Sequence, residues 1–205
     1  MKKIVVIFIS VLLMSACATN AKDELSSQEL ILNHILTSYN KFLKGNISIK
    51  QENEMIHIQD VFIFDNEDQQ AYNQYALFDM NGDALPELHV RSVNSYDIFT
   101  YQEEEIKLWH TDVPYSRPLN NRSILYERIG GAPAHIDYKY KLFDFYGNHI
   151  FEISFSKYDS SNRGIYDENS LYIFDEVELA KEKWDSLTEK ILSIDDDLIQ
   201  WIPYK

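Results

Sequence analysis

Cys17 is the only cysteine among 205 residues, so no intrachain disulfide can hold the fold, which must rest on packing or on a bound ion. The length suffices for one domain with a proper core. Usage of 14 Tyr and 11 Phe favours sheet. The formal net charge of −14 argues against nucleic acid as a partner, because phosphates demand Lys/Arg surfaces. It argues equally against flat docking on anionic lipid, and it suits a soluble body that binds cations.

The segment ahead of that cysteine has a distinct pattern. Met1-Lys2-Lys3 gives a positive start, and Ile4 to Met14 is an almost unbroken apolar run of the length of a signal-peptide core. The run is shorter than the ~20 residues that cross a bilayer as a helix, and no later run approaches it. Leu13-Met14-Ser15-Ala16-Cys17 then resembles the lipobox of bacterial lipoproteins, with small residues before the cysteine and Met14 where leucine is commoner. The resemblance implies removal of residues 1–16 and acylation of Cys17. The mature chain would sit on the extracytoplasmic face of a cell membrane or outer membrane, held by its lipid. Each buried methylene contributes ~0.8 kcal/mol, so several acyl chains anchor permanently. A lipidated Cys17 leaves no thiolate for zinc and no cysteine nucleophile.

Residues 17–24 read as the lipidated cysteine and a short polar tether, and residues 25–205 as a single α+β domain. Leu25-Ser26-Ser27-Gln28-Glu29-Leu30 fits a capping box with Ser26 as N-cap, and Leu25 and Leu30 fit the accompanying staple. Ile31, Ile35, Tyr39 and Phe42, with Leu32, Leu36 and Leu43, make an apolar face at helical spacing. Lys41 and Lys44 belong to the last turn and Gly45 ends it. Strands are expected over Met55–Phe64, Tyr75–Phe78, Leu88–Arg91, Tyr96–Tyr101, Ile106–His110, Ile124–Ile129, Tyr138–Phe145, Ile150–Tyr158 and Leu171–Phe174. Residues 65–70, 112–121 and 159–170 are expected to be loops. The strand from Tyr138 is apolar or aromatic on both faces in places and should lie near a sheet centre. Ala180, Trp184, Leu187 and Ile191 mark a closing helix, and Asp195-Asp196-Asp197 a solvated charge run. No internal repeat of useful length is evident. The expected architecture is an N-terminal helix, a mainly antiparallel sheet and a C-terminal helix packed on one face.

One internal segment carries chemistry. In Phe78-Asp79-Met80-Asn81-Gly82-Asp83-Ala84-Leu85-Pro86-Glu87-Leu88, oxygen side chains stand at loop positions one, three, five and nine: Asp79, Asn81, Asp83 and Glu87. Calcium takes six to eight hard oxygens at ~2.3–2.6 Å, and a tight loop offering alternate oxygens plus a backbone carbonyl, here Leu85, can wrap it. The spacing resembles the D-x-D-x-D-G-x-x-D loops of integrin-type FG-GAP blades, and an EF-hand less, since Val90 stands where that motif has Glu. Ala84 occupies the motif's glycine position, where a left-handed backbone costs a non-glycine residue ~1–2 kcal/mol. The alternative is an Asn-Gly-Asp hairpin turn stabilised by its own side chains. The order of parts also resembles a loose group of uncharacterised bacterial lipoproteins, which implies a neighbourhood and no activity.

Other groups are less specific. His34, His57, His89, His110, His135 and His149 form no H-x-x-x-H or H-E-x-x-H pair. There is no G-x-S-x-G elbow and no P-loop. Carboxylate pairs such as Asp65/Asp68 or Glu103/Glu105 mimic a glycosidase pair in spacing only. Core packing is expected for Trp184, with Trp109 and Trp201 open to lining a groove. The leading expectation is therefore a non-catalytic, lipid-anchored extracytoplasmic protein with an envelope or extracellular partner, stabilised by a calcium ion. The alternative is a surface hydrolase using paired carboxylates.

Overall fold

A computed structural model describes residues 21–51, 54–62, 72–130, 134–194 and 199–204. The chain divides into two compact units, Met1–Thr37 and Ser38–Lys205. Among the described residues, no helix is long and apolar enough to cross a membrane.

Helix α1 (Ala21–Leu43) crosses the boundary between the units. It starts ahead of the expected cap: Ser26 lies inside the helix, and residues 21–24 of the expected tether are helical. Ala21, Lys22 and Glu24 are good helix formers, which explains the extension. The C-terminal end matches expectation. Gly45 takes φ +68, its N–H reaches Phe42 O at 2.8 Å, and Asn46 N–H reaches Lys41 O at 2.9 Å, the paired bonds of a Schellman stop.

Residues 55–62, the described part of the expected 55–64 strand, do not form a single strand. Instead β1 (Ile49–Gln51) and β2 (Glu54–Ile56) make a two-stranded ribbon. A one-turn helix α2 (Ile58–Val61) follows. The Asp60 carboxylate accepts the N–H of His57 at 2.9 Å, a local bond that competes with strand pairing.

Where one sheet is expected, two larger ones form, both antiparallel throughout. The first is five-stranded, in the order β13-β3-β4-β5-β6. It contains β3 (Gln74–Phe78), β4 (Glu87–Arg91), β5 (Tyr96–Gln102), β6 (Glu105–Asp112) and the short C-terminal β13 (Ile202–Pro203). The second is six-stranded, in the order β12-β11-β10-β9-β8-β7. It contains β7 (Ser116–Leu119), β8 (Ser123–Ile129), β9 (His135–Phe143), β10 (His149–Tyr158), β11 (Leu171–Phe174) and β12 (Val177–Leu179). The expected hairpins at 96–110 and 138–158 are present, and β9 lies inside its sheet. Part of the 112–121 loop is the strand β7, whose Pro118 is tolerated because β7 is an edge.

The sheets meet face to face. Met80, Tyr96 and Ile98 from the first and Ile124 and Phe143 from the second form one buried cluster, with Phe78, Trp109 and Trp201 packed against it. On the far face of the five-stranded sheet, Phe42 packs on Phe99 at 5.1 Å, and the Tyr39 hydroxyl donates to Phe99 O at 3.3 Å. On the far face of the six-stranded sheet, α3 (Lys181–Leu192) buries Trp184 against Tyr138, Phe155 and Tyr172. Trp184 and Ile191 face the sheet as expected, whereas Leu187 is exposed and Thr188 is buried in its place. The Asp195-Asp196-Asp197 run, the loop at 65–70 and the segment 131–133 lie outside the described residues.

The turn between β9 and β10 locks the two sheets together. Gly147, at φ +83, offers its carbonyl to Trp109 Nε1–H at 2.6 Å. A Cβ there would stand 2.2 Å from that nitrogen. Gly147→Ala combines a left-handed penalty with overpacking and should cost at least about 2 kcal/mol, read as a lower midpoint in urea unfolding. An unchanged midpoint would remove the turn from the inter-sheet contact.

Candidate ion-binding loop

The loop from Asp79 to Pro86 joins β3 to β4 and is built almost entirely from its own polar side chains. Asp79 Oδ1 accepts Gly82 N–H at 2.7 Å, and its Oδ2 accepts Ala84 N–H at 2.9 Å. Asn81 Oδ1 accepts Asp83 N–H at 2.8 Å, and Asp83 Oδ1 accepts Leu85 N–H at 2.8 Å. Asn81 Nδ2 donates to Asp83 Oδ2 at 3.1 Å. Each oxygen that accepts one amide keeps a second lone pair. Ala84 has φ +69, so the strain expected at the sixth loop position is present, and Gly82 also lies in the left-handed region at φ +82.

Two buried side chains of β4 hold the backbone on either side of Asp79. Glu87, 2 % exposed, accepts Met80 N–H on Oε2 at 2.8 Å. His89 is fully buried and points the same way, two residues along the strand. Its Nε2 lies 3.2 Å from Phe78 O, and its Nδ1 lies 2.6 Å from the Tyr96 hydroxyl. A carbonyl only accepts, so Nε2 carries the proton and Nδ1 accepts the Tyr96 O–H. The sequence lists His89 among scattered histidines. The alternation Glu87-His89-Arg91 in a strand buried on both faces is the signal that singles it out.

Electrostatics follow from burial. Glu87 is pushed up from an ordinary 4.5 to about 8, first by desolvation; the Met80 amide opposes that shift, and the Asp83 and Asp79 charges add to it. His89 is pushed down from 6.5 to about 4 by desolvation, against the favourable bond to Phe78 O. Tyr96 is raised, again chiefly by burial. Farther along the same sheet face, Arg91 lies 4.0 Å over the Trp201 ring and donates to Gln74 Oε1. Asp112 accepts Lys141 Nζ from the other sheet at 2.7 Å.

The five residues singled out by spacing thus fall in one loop. Asp79, Asn81 and Asp83 face loop amides, Leu85 donates its own amide to Asp83, and Glu87 turns inward. Among the described residues no three Asp, Glu, His or Cys side chains are grouped so as to hold a metal ion. Of the other sequence candidates, Asp65 and Asp68 lie outside the described residues, and Glu103 forms an ion pair with Lys107 in an exposed turn. Trp184 is in the core as expected. Trp109 and Trp201 pack against the inter-sheet cluster. Comparison with protein-family models, with curated proteins and with solved structures finds no match.

The two shifted groups act in overlapping pH ranges. Folded Glu87 keeps its proton up to about 8 while the unfolded chain loses it near 4.5, so this group removes stability as pH rises between those values. Folded His89 stays neutral while the unfolded chain takes up a proton below 6.5, so His89 adds stability as pH rises from about 4 to 6.5. The slopes oppose each other in acid, and above 6.5 only Glu87 acts. In chelator, unfolding free energy should fall from pH 6.5 to 8 by up to about 1.4 kcal/mol per unit. Glu87→Gln, which still accepts the Met80 amide, should flatten that slope. A wild-type profile flat over that window would refute the assignment.

Proposed function

We propose that this chain is a lipid-anchored extracytoplasmic protein of non-catalytic binding or envelope role, attached to the membrane through Cys17. The observation that carries the reading is Leu13-Met14-Ser15-Ala16-Cys17 directly after the apolar run Ile4–Met14. Cys17 lies outside the described residues. The acidic composition supports a body kept off anionic lipid and nucleic acid, free to meet an envelope or extracellular partner. Cys17→Ser should leave the chain unprocessed or release it into the soluble fraction. A free Cys17 thiol on native protein extracted from membranes, read by intact mass, would overturn the anchor.

The same reading gives the 79–87 loop a calcium ion. What supports it is the ordered spacing of Asp79, Asn81, Asp83 and Glu87 and the lone pairs left after the loop's internal bonds. In this proposal Leu85 contributes its carbonyl, and Glu87 releases its proton to solvent as its carboxylate ligates the ion. Binding to the folded state alone adds ~2.7 kcal/mol at a hundredfold excess over Kd. Melting should rise with millimolar calcium and fall with chelator, and Asp79→Ala should abolish the response. If wild-type protein melts identically in calcium and in chelator, the loop is a hairpin turn without an ion.

A further inference from the structure

The two sheets share a sequence pattern that their strand order brings into view. Tyr75–Leu88, which spans β3, the acidic loop and the start of β4, agrees with Tyr140–Ile153 at six of fourteen positions. The matches are Tyr75/Tyr140, Leu77/Leu142, Phe78/Phe143, Asp79/Asp144, Gly82/Gly147 and Glu87/Glu152, with Asp83/Asn148, Leu85/Ile150 and Leu88/Ile153 similar. Identity at this level carries little alone. Its placement carries more. Both segments are strand, Asp-headed turn and strand. Phe78 and Phe143 both reach the inter-sheet cluster. Tyr140 and Leu142 pack toward α3, and Tyr75 and Leu77 share the outward face of the other sheet with Leu88 and Val90.

The correspondence continues into the next strand. Ser95, Ile98 and Phe99 match Ser170, Ile173 and Phe174 at one constant offset. Ile98 faces the other sheet, and Ile173 shares the face of its own sheet that carries Phe143. Phe99 and Phe174 lie on the outward faces. Strand order agrees as well: β3-β4-β5-β6 parallels β9-β10-β11-β12, and an antiparallel strand, the edge β13 or the interior β8, lies beside the first strand of each. The first hairpins differ in stagger. Leu77 pairs with Leu88, but Leu142 pairs with Phe151, not with the matching Ile153. A two-residue slip keeps every side chain on its face.

We propose that the two sheets are diverged copies of one four-stranded meander, packed against each other through equivalent faces. The Asp144 turn is then the counterpart of the acidic loop, with Asp144, Tyr146 and Asn148 at its odd positions and the matching Ile150 and Glu152 already in β10. The copies have separated in what the turn shows to solvent. Met80 and Asn81 are buried, whereas Phe145 and Tyr146 are 45 % and 80 % exposed.

The test transplants the turn in the full chain. Phe145→Met, Tyr146→Asn, Asn148→Asp, His149→Ala and Ile150→Leu rebuild residues 80–85 around the retained Gly147. A control carries the same five new residues in shuffled order at the same five positions. Equivalent turns should let the graft melt within about 5 °C of the parent and at least about 5 °C above the control, measured in chelator. A graft no more stable than its shuffled control overturns the proposal. Because no ion is present, the outcome is independent of whether the native loop binds calcium.

Discussion

With no disulfide available, the two sheets are held together by the apolar layer between them, and Phe143 sits at its centre. Its ring meets Trp109 at 5.5 Å and His110 at 5.1 Å across the interface. Burying a side chain of that size contributes roughly 1.5–3 kcal/mol. Beside it, Lys141 and Asp112 form a largely buried ion pair between the sheets. Such a pair contributes little net stability when whole, but loss of one partner leaves an uncompensated charge. The layer therefore fixes how the sheets face each other, and it places the Asp79 and Asp144 turns on adjoining structure.

Asp-headed turns recur in this chain. Asp144 Oδ1 accepts the amides of Tyr146 and Asn148. Asp159 accepts those of Ser161, Arg163 and Ile165. Each of these aspartates directly follows an aromatic residue that ends a strand. The amide pattern of the Asp79 loop is thus partly a general way of closing strands here. What sets the loop apart is the second layer of support, where Glu87 and His89 fix the peptide groups on both sides of Asp79. A loop anchored in that way loses less freedom when a ligand arrives.

Apolar and aromatic runs bounded by turn residues were legible in the sequence, and the strands expected at 75–78, 88–91, 96–101 and 124–129 lie where those runs are. Elements defined by only a few residues were not. β12 and β13 are three and two residues long, too short for any periodic signal, and they exist because a neighbouring strand supplies the pairing. β7 was hidden by Pro118, which reads as a loop residue until the edge position is known. One expected sheet became two because period two reports which residues alternate, not which strands pair. The loop residues were found by spacing, but the inward turn of Glu87 depends on Met80 and the opposite sheet. That dependence is tertiary. The repeat escaped a linear reading because its similarities are scattered and gain weight only when strand faces are compared.

The outer strands bear on how copies of this protein behave when crowded. The six-stranded sheet ends at β7, interrupted by Pro118, and at the three-residue β12. The five-stranded sheet ends on one side at β13, where Pro203 cannot donate a ladder bond, and on the other at the eight-residue β6, which β1 contacts. Short or proline-bearing borders give an approaching chain few consecutive amides to pair with, which discourages growth of sheet from one molecule into the next. A protein confined to a surface meets its own copies far more often than one free in solution. Under the surface anchorage proposed above, the blunt borders at β7, β12 and β13 favour separate folded molecules over fibrous assemblies.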